Sequence, residues 1–156
     1  MTRGTAEYGK DAPALEEARR VWVKAKAGCD FVTSQISYDP KVALEFLKGY
    51  GALCRKTGAA PATVFVSLTT VPTPSILRLL EGLGVEVPPP VKRRLRAAPS
   101  MGGASLEVAA EFFQALMDGV ERWRVGVPLG LQVEQIGVNS GALSLELLDR
   151  VYPSFS

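Results

Sequence analysis

Hydrophobic and polar positions along this chain switch between two periods. From Pro13, the residues Leu15, Ala18, Val21, Trp22 and Ala25 recur at three- and four-residue steps, with Glu16, Glu17, Arg19, Arg20 and Lys24 between them. This is the stripe of an amphipathic helix that buries one side. Gly28 supplies its stop, because glycine tolerates the left-handed turn that ends a helix. Residues 30–36 then read as a first strand. Asp39-Pro40 opens a second helix: the aspartate caps free N–H groups, and proline at the first helical position loses nothing by lacking one. That helix carries Ala43, Phe46, Leu47, Tyr50, Leu53 and Cys54 on one face and ends near Gly58.

Val64-Phe65-Val66-Ser67-Leu68 is dense in strand formers and free of charge, which predicts a second, buried strand. Thr73-Pro74 caps a short helix holding Ile76, Leu77, Leu79 and Leu80. Pro88-Pro89-Pro90 breaks the chain, and Val91 to Ala98 predicts another short helix. Ser100-Met101-Gly102-Gly103 reads as a flexible loop. A longer helix follows, with Leu106, Ala109, Phe112, Phe113, Leu116, Met117, Val120 and Trp123 in register. Leu131 to Val138 forms a third strand, and Leu143 to Val151 a last helix before Pro153. Helices and strands alternate, which predicts an α/β fold with parallel strands. Three such strands leave unpaired edges. A complete (β/α)8 TIM barrel takes about 250 residues, so the pattern fits either a small three-stranded domain or an incomplete barrel, its last three strand–helix units. Residues 1–12 read as a poorly ordered N-terminal lead and residues 13–156 as the folded part.

A chain of 156 residues is long enough to bury roughly 70% of its unfolded surface in one domain. Its 18 basic and 16 acidic residues are interspersed, and a net charge of +2 is too small to argue for nucleic acid or a membrane surface. No charge-free apolar run approaches the length needed to span a bilayer, and Met1-Thr2-Arg3-Gly4 lacks the apolar segment of a secretory signal. The expected compartment is the cytoplasm. The chain has no histidine, which removes Ser-His-Asp and Cys-His catalysis and most zinc sites. Cys29 and Cys54 lack metal-site spacing and read as small buried hydrophobes. No metal is expected.

Few residues then remain to carry chemistry. Gln35 closes the first strand, and its amide can present a paired donor and acceptor to the edge of a heterocycle, or simply bond its own loop. Glu17 and Lys24 are seven residues apart, which places them on one helical face. That face addresses a phosphate or ribose, or is merely wet. Lys92-Arg93-Arg94-Leu95-Arg96 is the densest basic run; it suits phosphate or a polyglutamate tail, but a run of this size is usually a solvated helix face. Gly102-Gly103 lacks the Lys-Ser/Thr pair of a phosphate loop. Glu134 lies within the third strand, where alternation sets Gln132 and Glu134 on one face and Val133 and Gln135 on the other. A carboxylate there needs a partner or a ligand.

Ala27-Gly28-Cys29-Asp30-Phe31 through Ser34-Gln35 and Tyr38-Asp39 resembles the A-G-A-D-F, T-Q and F/Y-D signature of methylenetetrahydrofolate reductases. Residues 64–68, Val85-Glu86-Val87-Pro88 and residues 131–138 followed by Asn139 are similar to later elements of that family, so the resemblance runs from about residue 13 to 151. It implies the C-terminal part of an eight-stranded barrel that binds FAD at the carboxyl ends of its strands. With NADH or NADPH as co-substrate, the family reduces 5,10-methylenetetrahydrofolate to 5-methyltetrahydrofolate in one-carbon metabolism and methionine biosynthesis. By the same resemblance Gln35 stands at a folate-contacting glutamine, and Lys24 and Glu17 stand at cofactor-contacting positions. The departures are equally plain. The family's proton-donating glutamate and flavin-tuning aspartate belong to a first half outside this chain. Ser67-Leu68-Thr69-Thr70-Val71-Pro72 replaces a P-G-I-x-P segment, Ser75 takes a glutamine's place, and Ser140 stands where an arginine is often found. No catalytic residue is therefore expected, and the isolated chain is expected to be inactive. The alternative is a non-catalytic half-barrel that associates with a full-length reductase, with itself as a homo-oligomer, or with a complementary half-barrel.

Overall fold

The computed structural model describes residues 12–138 and 140–152. The lead up to Asp11, Asn139 and the residues from Pro153 onward lie outside the described residues. Within them the order is α1 (Ala12–Lys26), β1 (Phe31–Thr33), α2 (Pro40–Thr57), β2 (Thr63–Thr69), α3 (Pro74–Gly82), α4 (Pro89–Ala97), α5 (Met101–Arg122), β3 (Leu129–Glu134) and α6 (Gly141–Val151). The three strands form one parallel sheet in the order β1-β2-β3. Val32 is in register with Val64, and Val66 with Leu131. The fold is α/β, as the alternation predicts.

The helix starts follow their caps. Asp39 accepts from the N–H groups of Lys41 and Val42 with Pro40 behind it, and Thr73 accepts from Ile76 with Pro74 behind it. Gly58 ends α2 in the left-handed region, at φ +68°. Other boundaries differ from the sequence pattern. Ser100 to Gly103 is no loop: the Ser100 side chain accepts from the Gly103 N–H and caps α5, the longest helix described. Gly102 is there for closeness, since a Cβ would lie 2.9 Å from a Leu143 methyl and 3.7 Å from the Pro72 backbone. The proline run does not merely break the chain, because Pro89 and Pro90 are the first residues of α4, where missing N–H groups cost nothing. Trp123 falls outside the apolar register; it follows α5, is 58% exposed, and lies under the Lys48 ammonium.

β1 is three residues long, not seven. The Ser34 N–H still donates to Phe65, but the next ladder position is taken by a side chain, as the Ser67 N–H donates to the Ser34 hydroxyl at 3.0 Å. A hydroxyl that replaces a carbonyl ends the strand and frees the backbone to turn. β3 likewise stops at Glu134, short of the predicted Val138. Gly137 adopts φ +99° and Ser140 donates back to its carbonyl at 3.0 Å, closing a turn that a strand cannot follow.

The helices that pack on the sheet, α1, α2, α5 and α6, lie on one face of it. Val64, Val66 and Leu68 of β2 are buried in the main apolar cluster with Ala18 and Val21 of α1, Leu47 and Tyr50 of α2, and Leu106, Phe112 and Phe113 of α5. Val32, Leu129, Leu131 and Val133 pack against its margin. A second cluster, built from Ile36, Tyr38, Val71, Leu77, Leu80, Val85, Val87 and Leu95, ties α3 and α4 to the loops after β1 and β2. Cys54 is buried, as its pattern predicts; Cys29 is only half-buried, with its thiol donating to the Phe31 carbonyl at 2.9 Å.

Candidate functional site at the carboxyl edge of the sheet

In a parallel sheet every strand delivers its chain to the same edge, and the loops that follow are free to present side chains to a ligand. Here those loops are residues 34–39, 70–73 and 135–140. The short link of residues 27–30 forces α1 to run back along the sheet, so its first turns also reach this edge.

A cavity of about 240 Å³ opens beyond the end of β1, between residues 34–37 and the helix layer, and the loops after β2 and β3 do not line it. Its floor is Val64 and Val66 of β2 with Phe112 and Leu116 of α5, and Phe46 and Leu47 of α2 form a wall. Glu17, Ser34, Gln35 and Ser37 add the polar groups. An apolar hollow with a few polar groups is the usual form of a small-molecule site. Gln35 is exposed, and its carbonyl oxygen accepts from the Ile36 N–H at 3.2 Å. The loop-bonding role is therefore half true. The amide nitrogen has no partner among the described residues and remains a donor.

Glu17 reaches the cavity from α1, while its carboxylate lies 3.4 Å from Arg20 across exposed surface. Lys24 is exposed and seven residues further along α1, about 10 Å away at the helical rise. It sits toward the amino end of β1, where the Lys24 carbonyl receives the N–H groups of Ala27 and Cys29. The structure thus brings Gln35 and Glu17 to one cavity and holds Lys24 apart from it.

The opposite face of the sheet carries the other side chains of the strands. Phe31, Thr33, Phe65, Gln132 and Glu134 point there, and none belongs to either apolar cluster. Phe31 is 58% exposed; Phe65, Gln132 and Glu134 are half-buried. Ser67 and Thr69 are buried on the same face, with the Thr69 hydroxyl donating to the Glu134 carbonyl at 2.7 Å. Glu134 and Gln132 make no side-chain hydrogen bond or ion pair among the described residues. The alternation of β3 read from sequence is correct, and it places the lone carboxylate of β3 on the side without helices.

Two of the four cations in the basic run of α4 are paired within the molecule. Arg94 bonds both Glu107 and Glu111, at 3.0 and 2.6 Å, and Lys92 pairs with Glu81. Its guanidinium holds the Glu111 carboxyl below the usual range, and the Lys92 ammonium does the same for Glu81. Among the described residues no group of three or more acidic, cysteine or histidine side chains is placed to hold a metal ion, and no helix is long and apolar enough to cross a membrane.

A flavin dinucleotide needs a cation or a free helix N-terminus for its diphosphate, and the loops at residues 34–39, 70–73 and 135–140 contain no lysine or arginine. The α2 N-terminus is capped by Asp39 and Lys24 lies at the other end of α1, whereas the α6 N-terminus, which follows residues 135–140, carries no side-chain cap.

No protein-family model matches the chain, and no curated protein does. Among solved structures it is similar to an uncharacterized protein from Clostridium thermocellum that binds two copies of 5-methyl-5,6,7,8-tetrahydrofolic acid, with a TM-score of 0.80 and 21% identity. The match covers 92% of this chain and 51% of that one. The chain shares that protein's fold over the match and spans about half its length.

The sequence singled out Gln35 and Glu17, which both line the cavity, and marked Glu134 without assigning it. It did not single out Ser34 and Ser37, whose signal was present in the alternation Ser34, Gln35, Ser37: small hydroxyls around an amide at a strand end.

Proposed function

We propose that this chain binds a reduced folate at the carboxyl edge of its sheet, with the Gln35 amide directed at the pterin. The likeness to a fold that holds 5-methyl-5,6,7,8-tetrahydrofolic acid in the Clostridium thermocellum protein carries this reading. The cavity beside Gln35 supports it. Its apolar floor suits the face of a bicyclic ring, and at about 240 Å³ it accommodates the ring system rather than a whole folate with its glutamate tail. A pterin edge pairs donors with acceptors, which an amide answers and a carboxylate or ammonium does not. The Gln35 nitrogen is free to donate, and its oxygen has a second lone pair beyond the bond to Ile36.

The finer reading, a methylenetetrahydrofolate-reductase-like half-barrel, rests on the signature around Gln35 and on a three-stranded parallel sheet with two edge strands. In it this chain supplies a folate wall and no hydride chemistry. Titration calorimetry with 5-methyltetrahydrofolate tests the proposal. The chain is expected to bind, and Gln35→Ala to weaken binding about tenfold, the loss of roughly 1.4 kcal/mol from a paired hydrogen-bond contact. No heat of binding to the unaltered chain, or an unchanged affinity in Gln35→Ala, overturns the assignment.

A further inference from the structure

Parallel sheets are found with both faces covered, because a bare face leaves side chains and strand edges without partners. Here α1, α2, α5 and α6 cover one face, while among the described residues no helix packs on the face of Phe31 and Phe65, where Phe31 is exposed, Phe65 half-buried, and Ser67 and Thr69 buried; β1 and β3 are both edge strands of the described sheet. Two layers are visible on that open face. Toward the amino ends of the strands it is aromatic: the Phe31 and Phe65 rings meet edge to face with centroids 5.7 Å apart. Phe65 lies across Gly130 of β3, where a Cβ would come within 2.5 Å of the ring. Toward the carboxyl ends it is polar, with Ser67, Gln132, Thr69 and Glu134.

The similar structure indicates what belongs there. Since 92% of this chain lies on 51% of that one, that protein carries about as many residues again beyond the shared frame. We propose that the open face is a docking surface for a complementary α/β half, a polypeptide of about this chain's size. It adds parallel strands at the free edges of β1 and β3 and packs its own strand face on Phe31 and Phe65. The chemistry of the face specifies the partner further. Its amino-end layer must be apolar, to dry the two rings. Opposite Glu134 it must offer a cation or hydrogen-bond donors, because a carboxylate covered without one is strongly disfavoured. A second copy of this chain is the poorer occupant, since its open face brings another Glu134 and no cation.

The test uses the unmatched half of the Clostridium thermocellum protein, made as a separate polypeptide and mixed with this chain in equal amounts. Sedimentation velocity is expected to show a one-to-one complex. Phe31→Glu should weaken it at least tenfold, while Leu145→Glu, on the 66% exposed outer surface of α6, leaves it intact. Hydrogen exchange, which does not depend on any variant folding, should slow at the β1 and β3 amides in the complex. A discrete homodimer of this chain overturns the proposal. So do the absence of a complex, a complex indifferent to Phe31→Glu, and unchanged exchange at both edges.

Discussion

Tyr38 shows how much a single side chain can depend on its surroundings. The loop after β1 carries it into the second apolar cluster, where its hydroxyl is buried with no partner among the described residues. Burial pushes its phenol up to about 12 from an ordinary 10.0. A phenol that holds its proton more tightly in the folded state contributes stability fully below the unfolded pKa and loses it as pH climbs through the folded one. Urea unfolding should therefore show stability falling between about pH 10 and 12, with Tyr50, also raised by burial, adding to the slope. Tyr38→Phe should flatten that limb. At neutral pH it should gain about 1 kcal/mol by removing an unsatisfied buried hydroxyl. An unaltered alkaline limb would show that the phenol is not buried as described. None of this was legible in the sequence, where Tyr38 served only as part of a signature. Gln35 was legible, through the resemblance and its place at a strand end. The role of Ser34 was not, because a hydroxyl can take a ladder position only when β2 lies beside it.

At the scale of elements, the caps spoke clearly. Asp39-Pro40 and Thr73-Pro74 start helices as read, and Gly58 stops one, because these signals are local and need only the backbone to act. Gly102-Gly103 misled for the complementary reason. Glycine usually marks a loop, but here Ser100 caps the helix and Gly102 lets α5 close on α6. Gly51 is the same kind of residue in α2. A Cβ there would lie 2.5 Å from the Val125 carbonyl oxygen, which also accepts from Arg55 at 2.7 Å. Gly51→Ala should destabilise the protein by about 1–3 kcal/mol, read as a lower thermal midpoint. Gly82→Ala, with nothing within 4 Å, should be neutral or slightly stabilising. Equal midpoints for the two variants would contradict the close packing of α2 on the loop before β3.

For the whole molecule, the proposed role separates binding from turnover. The purified chain should show no NADH- or NADPH-dependent reduction of 5,10-methylenetetrahydrofolate, with or without added FAD, followed by the absorbance of the reduced nicotinamide. Glu17 shares the cavity with Gln35, but its carboxylate pairs with Arg20 across exposed surface. Steady turnover by the chain alone would overturn both the division into halves and the role given to the open face.

The amino-acid sequence by itself determined the helices, the central strand and the parallel α/β alternation, since periodicity and caps act over a few residues. It also marked Gln35 as the residue to watch. It could not separate a small complete domain from an incomplete barrel, because either gives the same three strands in the same order. Only the tertiary structure decided that α1, α2, α5 and α6 lie on one side of the sheet, that Glu17 joins Gln35 while Lys24 does not, and that Phe31, Phe65 and Glu134 share the other face. Those facts depend on which residues become neighbours across the sheet, and such contacts leave no period in the chain.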